Sequence, residues 1–355
     1  MPNKVNKGEW AELFVFLKAL SDGKIYAADE NLEKVEKLFY VILSAIKNED
    51  GILKEFKRSQ SSNEIILLEN DSECLQIPVN EFEYFSNVVL EAVKNGAGTF
   101  VIPEIEPFLS RIKLTKIKAS SDSKKDVIFK IHDEFTGAEP KIGFSIKSYI
   151  GSKPTLLNAS GATRVQYSLS KNLSKDDLEI VNQIAGRTKI KDRVQFIKDK
   201  SISLDFEKIL NETFSRNLKM IDSRMPEFLG YLFLNSYFVK GKAIPDVVDL
   251  YCDKYGEDGE IISHKVKDLL VAVALGMEPN TRWNGLEDAN GGYIVVKDDG
   301  EVLCYHIYDR NKLREYLYRS TKFDSPSSKR TGAGIVTEEA GEQKFTLTIQ
   351  IRDRK

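Results

Sequence analysis

Two apolar segments separated by a polar break constrain this chain more than any other feature. Asp126-Val-Ile-Phe-Lys-Ile reads as one β-strand, Phe135-Thr-Gly-Ala-Glu-Pro breaks it, and Ile142-Gly-Phe-Ser-Ile-Lys-Ser-Tyr-Ile reads as the next. Residues two apart on a strand face the same side. Ser145 and Lys147 therefore project together, while Phe144 and Ile146 enter a core. Asp126 opens the neighbouring strand and can meet them. A carboxylate is the hard oxygen ligand that Mg2+ prefers, and the backbone carbonyl of Ile146 could add another. A lysine beside such an ion can orient a nucleophile and offset developing negative charge. The layout suits hydrolysis of a phosphate ester, although a plain hairpin with a solvated lysine has the same spacing.

Bulk composition narrows the class only a little. The chain has 355 residues, 41% of them hydrophobic, with 52 basic and 54 acidic residues for a net charge of -2. That near-neutral balance neither suggests nor excludes nucleic acid, so local clustering of charge must decide. Cys74, Cys252 and Cys304 are far apart, which argues against a disulfide framework or a structural zinc. No membrane association is expected: the apolar run from Phe228 to Phe238 is too short to span a bilayer. The opening residues lack the apolar core of a signal peptide, and a cytoplasmic location is expected.

The pattern along the chain predicts an α/β (α+β) fold, a mixed β-sheet flanked by helices. Residues 8–20 are helical, with Trp10, Leu13, Phe14 and Leu17 facing a core and Glu9 and Glu12 sharing another side. Asn31 to Lys47 reads as a second amphipathic helix, with Leu32, Val35, Leu38, Phe39 and Ile42 inward. Strands follow over 52–79, then a helix with Asn80 as its cap, ending near Asn95-Gly96. Helical patterns return at 176–186, 203–221 and 226–274. Asp298-Asp-Gly300 marks a hairpin between Tyr293-Ile-Val-Val and Glu301-Val-Leu-Cys-Tyr-His. Asn311 to Tyr318 is a helix, and Phe345 to Arg352 alternates as a closing strand.

From Ser148 through Lys175 the chain contains no Asp or Glu. The same stretch holds Ser148, Lys153, Thr155, Asn158, Ser160, Thr163, Arg164 and Gln166. Hydroxyls, amides and cations without repelling carboxylates are what a phosphate backbone needs. A Ser/Thr/Asn-rich loop would have the same composition.

Blocks from end to end resemble the HpaII family of type II restriction endonucleases. They include Lys7-Gly-Glu-Trp-Ala-Glu-Leu, Gly143-Phe-Ser-Ile-Lys-Ser148, Thr155-Leu-Leu-Asn-Ala-Ser160, Ala274-Leu-Gly-Met277 and Trp283-Asn-Gly. Asn290-Gly-Gly-Tyr-Ile-Val-Val-Lys, Cys304-Tyr-His-Ile-Tyr-Asp-Arg-Asn311 and Thr321-Lys-Phe-Asp-Ser-Pro-Ser-Ser-Lys-Arg330 continue the series. The resemblance implies a restriction-endonuclease-like core of the PD-(D/E)xK nuclease superfamily and Mg2+-dependent hydrolysis of double-stranded DNA. It implies a short palindromic site, CCGG in the family's type member, and a cognate DNA methyltransferase as genetic partner. Cutting both strands of a symmetric site suits a homodimer. A non-catalytic, sequence-specific DNA-binding protein is the alternative.

Carried over, Asp126 is a metal ligand and Lys147 the catalytic lysine, with the Ile146 carbonyl nearby. Ser145 stands where the superfamily usually has an acid. The second acid must then come from upstream. Glu12 of the first helix is favoured, with Glu9, Glu139, Asp133 and Glu134 as rivals. Base readout is expected in the C-terminal third, where Arg310, Asn311, Arg314, Lys329 and Arg330 can address base edges. Ser327 and Ser328 could hold phosphates, and Trp283 and Asn284 could line the groove. His306 reads as a buried, hydrogen-bonded histidine; His132 and His264 carry no supporting pattern. The expected organisation is a first core helix region (1–23), an α+β DNA-gripping insertion (24–115), a catalytic nuclease core (116–225), and a helical and β-hairpin DNA-recognition region (226–355).

Overall fold

The computed structural model describes residues 4–49, 51–117, 124–134, 136–151, 153–326 and 332–354. The chain forms two compact units. One comprises Met1–Pro154, Ala274–Gly276 and Glu287–Tyr316; the other comprises Thr155–Val273, Met277–Leu286 and Leu317–Lys355.

The first unit is organised around helix α1, Lys7–Asp22. Asn6 and Glu9 close a reciprocal cap at its start. The Asn6 Oδ1 accepts from the Glu9 N–H at 3.0 Å, and Glu9 Oε2 accepts from the Asn6 N–H at 2.8 Å. At its end Gly23 adopts a φ of +69°, and its N–H donates to the Ala19 carbonyl. Arg58 donates to the last carbonyls, Leu20 at 2.6 Å and Ser21 at 2.7 Å. With both ends satisfied, the helix can be enclosed. Trp10, Leu13, Phe14, Val15, Phe16, Leu17 and Leu20 are all buried, so its apolar surface runs nearly all round.

What encloses it is a nine-stranded mixed sheet. Its strands are β1 (Lys24–Ala28), β2 (Lys34–Glu49), β3 (Ile52–Arg58), β4 (Glu64–Glu69), β5 (Ser72–Pro78), β6 (Val127–His132), β7 (Lys141–Ser148), β8 (Gly292–Val296) and β9 (Val302–His306). They are ordered β1-β9-β8-β7-β6-β2-β3-β4-β5, and β1 also pairs with β2. The second pairing closes β1, β9, β8, β7, β6 and β2 into a ring. Strand β7 lies inside it, antiparallel to β6 and parallel to β8. Gly292 at the head of β8 has a φ of +127°, and a Cβ there would lie 2.0 Å from the Tyr305 carbonyl oxygen. Only glycine permits that approach. Helix α2, Val79–Asn95, packs on α1, and Phe82, Val89 and Val93 join the same core as Phe14, Phe129, Phe144 and Ile146.

Three expectations about local structure change here. The segment expected as a helix over 31–47 is the long strand β2. A turn precedes it, in which the Asp29 carboxylate accepts from the N–H groups of Asn31 and Glu33, each at 2.9 Å. Val35, Val41, Ile42 and Ile46 are β-branched and lose side-chain freedom in a helix. Both edges of the segment also find partners, β6 on one side and β1 then β3 on the other. Asn80 is not a cap: α2 begins after Pro78 with no side-chain cap. The stretch 203–221 divides into the strand Leu204–Ile209 and the helix Glu212–Ile221, where Asn211 caps by accepting from the Phe214 N–H at 2.8 Å.

The second unit has a four-stranded antiparallel sheet ordered Leu204–Ile209, Arg164–Leu169, Glu342–Thr348 and Val336–Glu339. Its inward residues Val165, Tyr167, Phe345 and Leu347 are buried. The Tyr167 hydroxyl donates to the Gly230 carbonyl at 2.7 Å and so fixes the helix Met225–Ser236 against it. The closing strand expected over 345–352 breaks in two, because Ile351–Asp353 joins a separate sheet with Thr155–Leu157 and Thr321–Phe323. Among the described residues, no helix is long and apolar enough to cross a membrane.

A buried ion pair of the first unit ties β2 to a distant loop. Glu49 is 4% exposed and accepts from Lys54 at 2.6 Å, from the Lys116 N–H at 2.9 Å, and from the Thr115 hydroxyl at 3.0 Å. Replacing Glu49 with alanine strands a buried ammonium and three donors, the Thr115 hydroxyl and the N–H groups of Thr115 and Lys116. A Glu49→Ala variant is expected to lose about 3 kcal/mol or more of unfolding free energy in a urea titration.

Candidate active site

Strand pairing delivers the first three side chains. Val127 faces Phe144 across β6 and β7, which sets Asp126 opposite Ser145. The Asp126 N–H donates to the Phe144 carbonyl at 2.9 Å and extends the pairing by one step. The Asp126 Oδ2 then accepts from the Ile146 N–H at 2.6 Å and from the Ser145 hydroxyl at 3.4 Å. Ser145 is buried and Lys147, one strand step on, is half-buried. Parity on the strand thus brings together the residues that the spacing predicted.

The fourth side chain comes from the enclosed helix. Glu12 is half-buried, and its Oε2 is fully enclosed with no hydrogen-bond partner among the described residues. Burial pushes the Glu12 pKa up to about 8. The nearby Asp126 carboxylate adds to the rise, and Lys47 and then Lys147 oppose it. Asp126 is raised too, again chiefly by burial, against the pull of Lys147, the Ile146 N–H, Lys124 and the Ser145 hydroxyl. Two carboxylates and the Lys47 and Lys147 ammonium groups therefore act on one another in a poorly hydrated space, with Lys124 a further cation acting on Asp126.

Lys47 was not foreseen. It sits on β2, half-buried, and donates to the Ile117 carbonyl at 3.2 Å. The misreading of 31–47 as a helix hid it. Read at strand spacing, Ala45, Lys47 and Glu49 share a face, and a lysine between two enclosed residues would have been conspicuous.

The rival acids lie in other settings. Glu9 is engaged in the α1 cap and adds only a weak repulsion to Glu12. Glu139 is exposed and paired with Lys130 at 2.6 Å, and Glu134 is exposed. Asp133 is buried and accepts from the Thr136 hydroxyl at 2.8 Å and from Tyr308. Among the described residues, no group of three or more His, Cys, Asp or Glu forms a ready cage for a metal.

The residues expected to meet DNA are more scattered. In the first unit, Ser148 ends β7, Lys153 and Arg314 are half-buried, Arg310 is paired with Glu287, and Asn311 is exposed. In the second, Asn158 and Asn284 are exposed. Thr155 accepts weakly from Arg352, and Ser160 caps a short turn at 161–163. Thr163 is fully buried, with its hydroxyl donating to the Ile349 carbonyl at 2.9 Å. Arg164 is half-buried beside a buried Gln166 that bonds Glu207. The Trp283 indole donates to the Leu286 carbonyl at 2.7 Å. Ser327, Ser328, Lys329 and Arg330 lie outside the described residues. His306 is 4% exposed, stacks on Tyr40 and accepts from the Tyr308 N–H at its Nδ1.

Comparison with known proteins covers nearly the whole chain. The HpaII restriction endonuclease family matches residues 6–352. The type II restriction enzyme HpaII of Haemophilus parainfluenzae is 38% identical over 360 residues, covering 98% of each chain. No solved structure gave a significant match.

The displaced Glu12 pKa has a sign that can be measured without metal. It is higher in the folded chain than its ordinary 4.5. Glu12 therefore contributes stability below about pH 4.5, and that contribution is lost as pH rises through about 8. Asp126 shifts in the same direction. In chelator-treated protein, denaturant midpoints should fall between pH 5 and pH 8, and a Glu12→Gln variant should show a flatter decline over the same window. Equal slopes for the two proteins would contradict this origin.

Proposed function

The chain belongs to the HpaII restriction endonuclease family, and from that premise we propose a type II restriction endonuclease whose cleavage site is Glu12, Asp126, Ser145 and Lys147. Its substrate is double-stranded DNA at a short palindrome such as CCGG, its cofactor Mg2+, and its working place the cytoplasm beside a cognate methyltransferase. A homodimer matches the symmetry of such a site.

One observation carries this reading. Two carboxylates from different elements approach each other in an enclosed space, and one of their oxygens, Glu12 Oε2, has no hydrogen-bond partner among the described residues. Buried polar oxygens are rarely left so. A small divalent cation is the partner such a pair accepts most readily, since it satisfies the orphaned oxygen and removes the mutual repulsion. The donor set thus fits Mg2+, with the Ile146 carbonyl as a further oxygen.

Bound there, Mg2+ supplies Lewis acidity toward a phosphate oxygen and lowers the pKa of water. The protein's own groups do the positioning. The Ile146 N–H and the Ser145 hydroxyl hold the Asp126 carboxylate in one orientation. Lys147 stands beside it, where its ammonium offsets the charge that grows on a phosphate during displacement. Ser148, Lys153, Thr155, Asn158, Ser160 and Arg164 serve backbone contact. Arg310, Asn311, Arg314, Lys329 and Arg330 serve base readout, Ser327 and Ser328 hold phosphates, and Trp283 and Asn284 line the groove.

Incubation of plasmid DNA with Mg2+ tests the proposal. The wild-type protein should give discrete fragments, and mapping their ends gives the site and overhang. Asp126→Ala, Glu12→Gln and Lys147→Ala should each slow cleavage by about 100-fold or more. All three should still bind the same DNA in Ca2+, where contacts to phosphates and bases persist. Salt-sensitive binding with no cutting under any divalent metal would instead point to a non-catalytic DNA-binding protein.

A further inference from the structure

Resting on the site proposed above, we infer that Lys47 is the resident counter-ion of Glu12 in the metal-free protein and competes with the divalent cation for that carboxylate. The placement of the side chain leads to this. Lys47 projects from β2 between enclosed Ala45 and Glu49, and its ammonium lies 6.0 Å from the Phe16 ring centre. Phe16 is one helical turn beyond Glu12, so both occupy the same stripe of α1. The ammonium is therefore held against the helix face that carries Glu12, with the Ile117 carbonyl, 3.2 Å away, as its anchor.

The other acids near Lys47 cannot take this role from Glu12. Glu49 is already engaged with Lys54 at 2.6 Å and with the Lys116 and Thr115 donors. Among the charges acting on Asp126, Lys147 comes first, and the Ile146 N–H holds the carboxylate. For Glu12 the order reverses, since Lys47 favours its charged form more than Lys147 does. The cluster divides into two pairs, Lys147 with Asp126 and Lys47 with Glu12. In the second pair the lysine is not hydrogen-bonded to Oε2, which stays unpartnered. A cation can enter there without breaking a bond, but it must do so against the field of Lys47.

The consequence has a sign opposite to that of a simple catalytic lysine. Removing the charge of Lys47 should tighten cation binding. Mn2+ binding to chelator-stripped, DNA-free protein, read by electron paramagnetic resonance of the free ion, measures it directly. Lys47→Met should bind Mn2+ about fivefold more tightly than wild type. It should also melt at a lower temperature without metal, and the gap between metal-free and Mn2+-saturated melting should widen. Lys47→Arg keeps the charge and should stay within about twofold of wild type. Equal or weaker Mn2+ binding by Lys47→Met overturns the inference and leaves the cleavage site standing. A Lys47→Met protein that stays unfolded even in saturating Mn2+ also overturns it, since packing alone would then account for the residue. Absence of Mn2+ binding by the wild type, by contrast, removes the site reading itself and this inference with it.

Discussion

Two carboxylates enclosed together are the constraint around which the first unit is built. Burial raises both Glu12 and Asp126, and the Asp126 charge adds to the rise at Glu12. Such a pair survives only where positive charge is held nearby and cannot drift away. The fold meets that need with two lysines on two strands, Lys47 on β2 opposite Lys54 and Lys147 on β7 opposite Val295. The helix that presents Glu12 is fixed as firmly. Its ends are closed by Asn6, Glu9, Gly23 and Arg58, and its flanks are enclosed by the ring of strands and by α2. Capping, closure and charge balance serve one end, the placement of an acid where water reaches it poorly.

How much of this was legible in the sequence depends on which residues had neighbours along the chain. The β6–β7 hairpin was readable because alternation and a polar break are local signals, and register follows from them. Asp126, Ser145 and Lys147 converge for that reason. The β2 strand was not readable, because Leu32, Val35, Leu38, Phe39 and Ile42 happen to fall at helical spacing. Its conformation is decided by partners far along the chain, β6 above all, which periodicity cannot report. Losing the strand meant losing Lys47. Glu12 sits between these cases: composition marks it as one acid among many, and only the resemblance singled it out.

The acid-free stretch shows the opposite failure, in which composition says less than it promises. Thr163 is a hydroxyl turned wholly inward, Gln166 is engaged with Glu207, and Ser160 caps a turn. Polar side chains without carboxylates among them can build a sheet corner as well as a phosphate contact. Exposed Asn158 and half-buried Lys153 and Arg164 keep a surface role open to the stretch. The missing acids are then explained in part by internal satisfaction: a carboxylate at 163 would be buried against the Ile349 carbonyl, and one at 166 would face the Glu207 carboxylate.

Ser145 follows from the same electrostatics. An acid at that position would stand opposite Asp126 across the β6–β7 pair, at a side chain only 1% exposed. With Glu12 already delivered by α1, the enclosed space would hold a third carboxylate beside Glu12 and Asp126. Each further carboxylate in such a space would be driven toward protonation, and the pair with Asp126 would be weakened. A serine there instead donates a hydrogen bond to Asp126 and adds no charge. The departure from the usual acid-x-lysine spacing is thus the counterpart of an acidic helix: once Glu12 occupies the interior, a neutral donor on the strand is what keeps the acids and the lysines in balance.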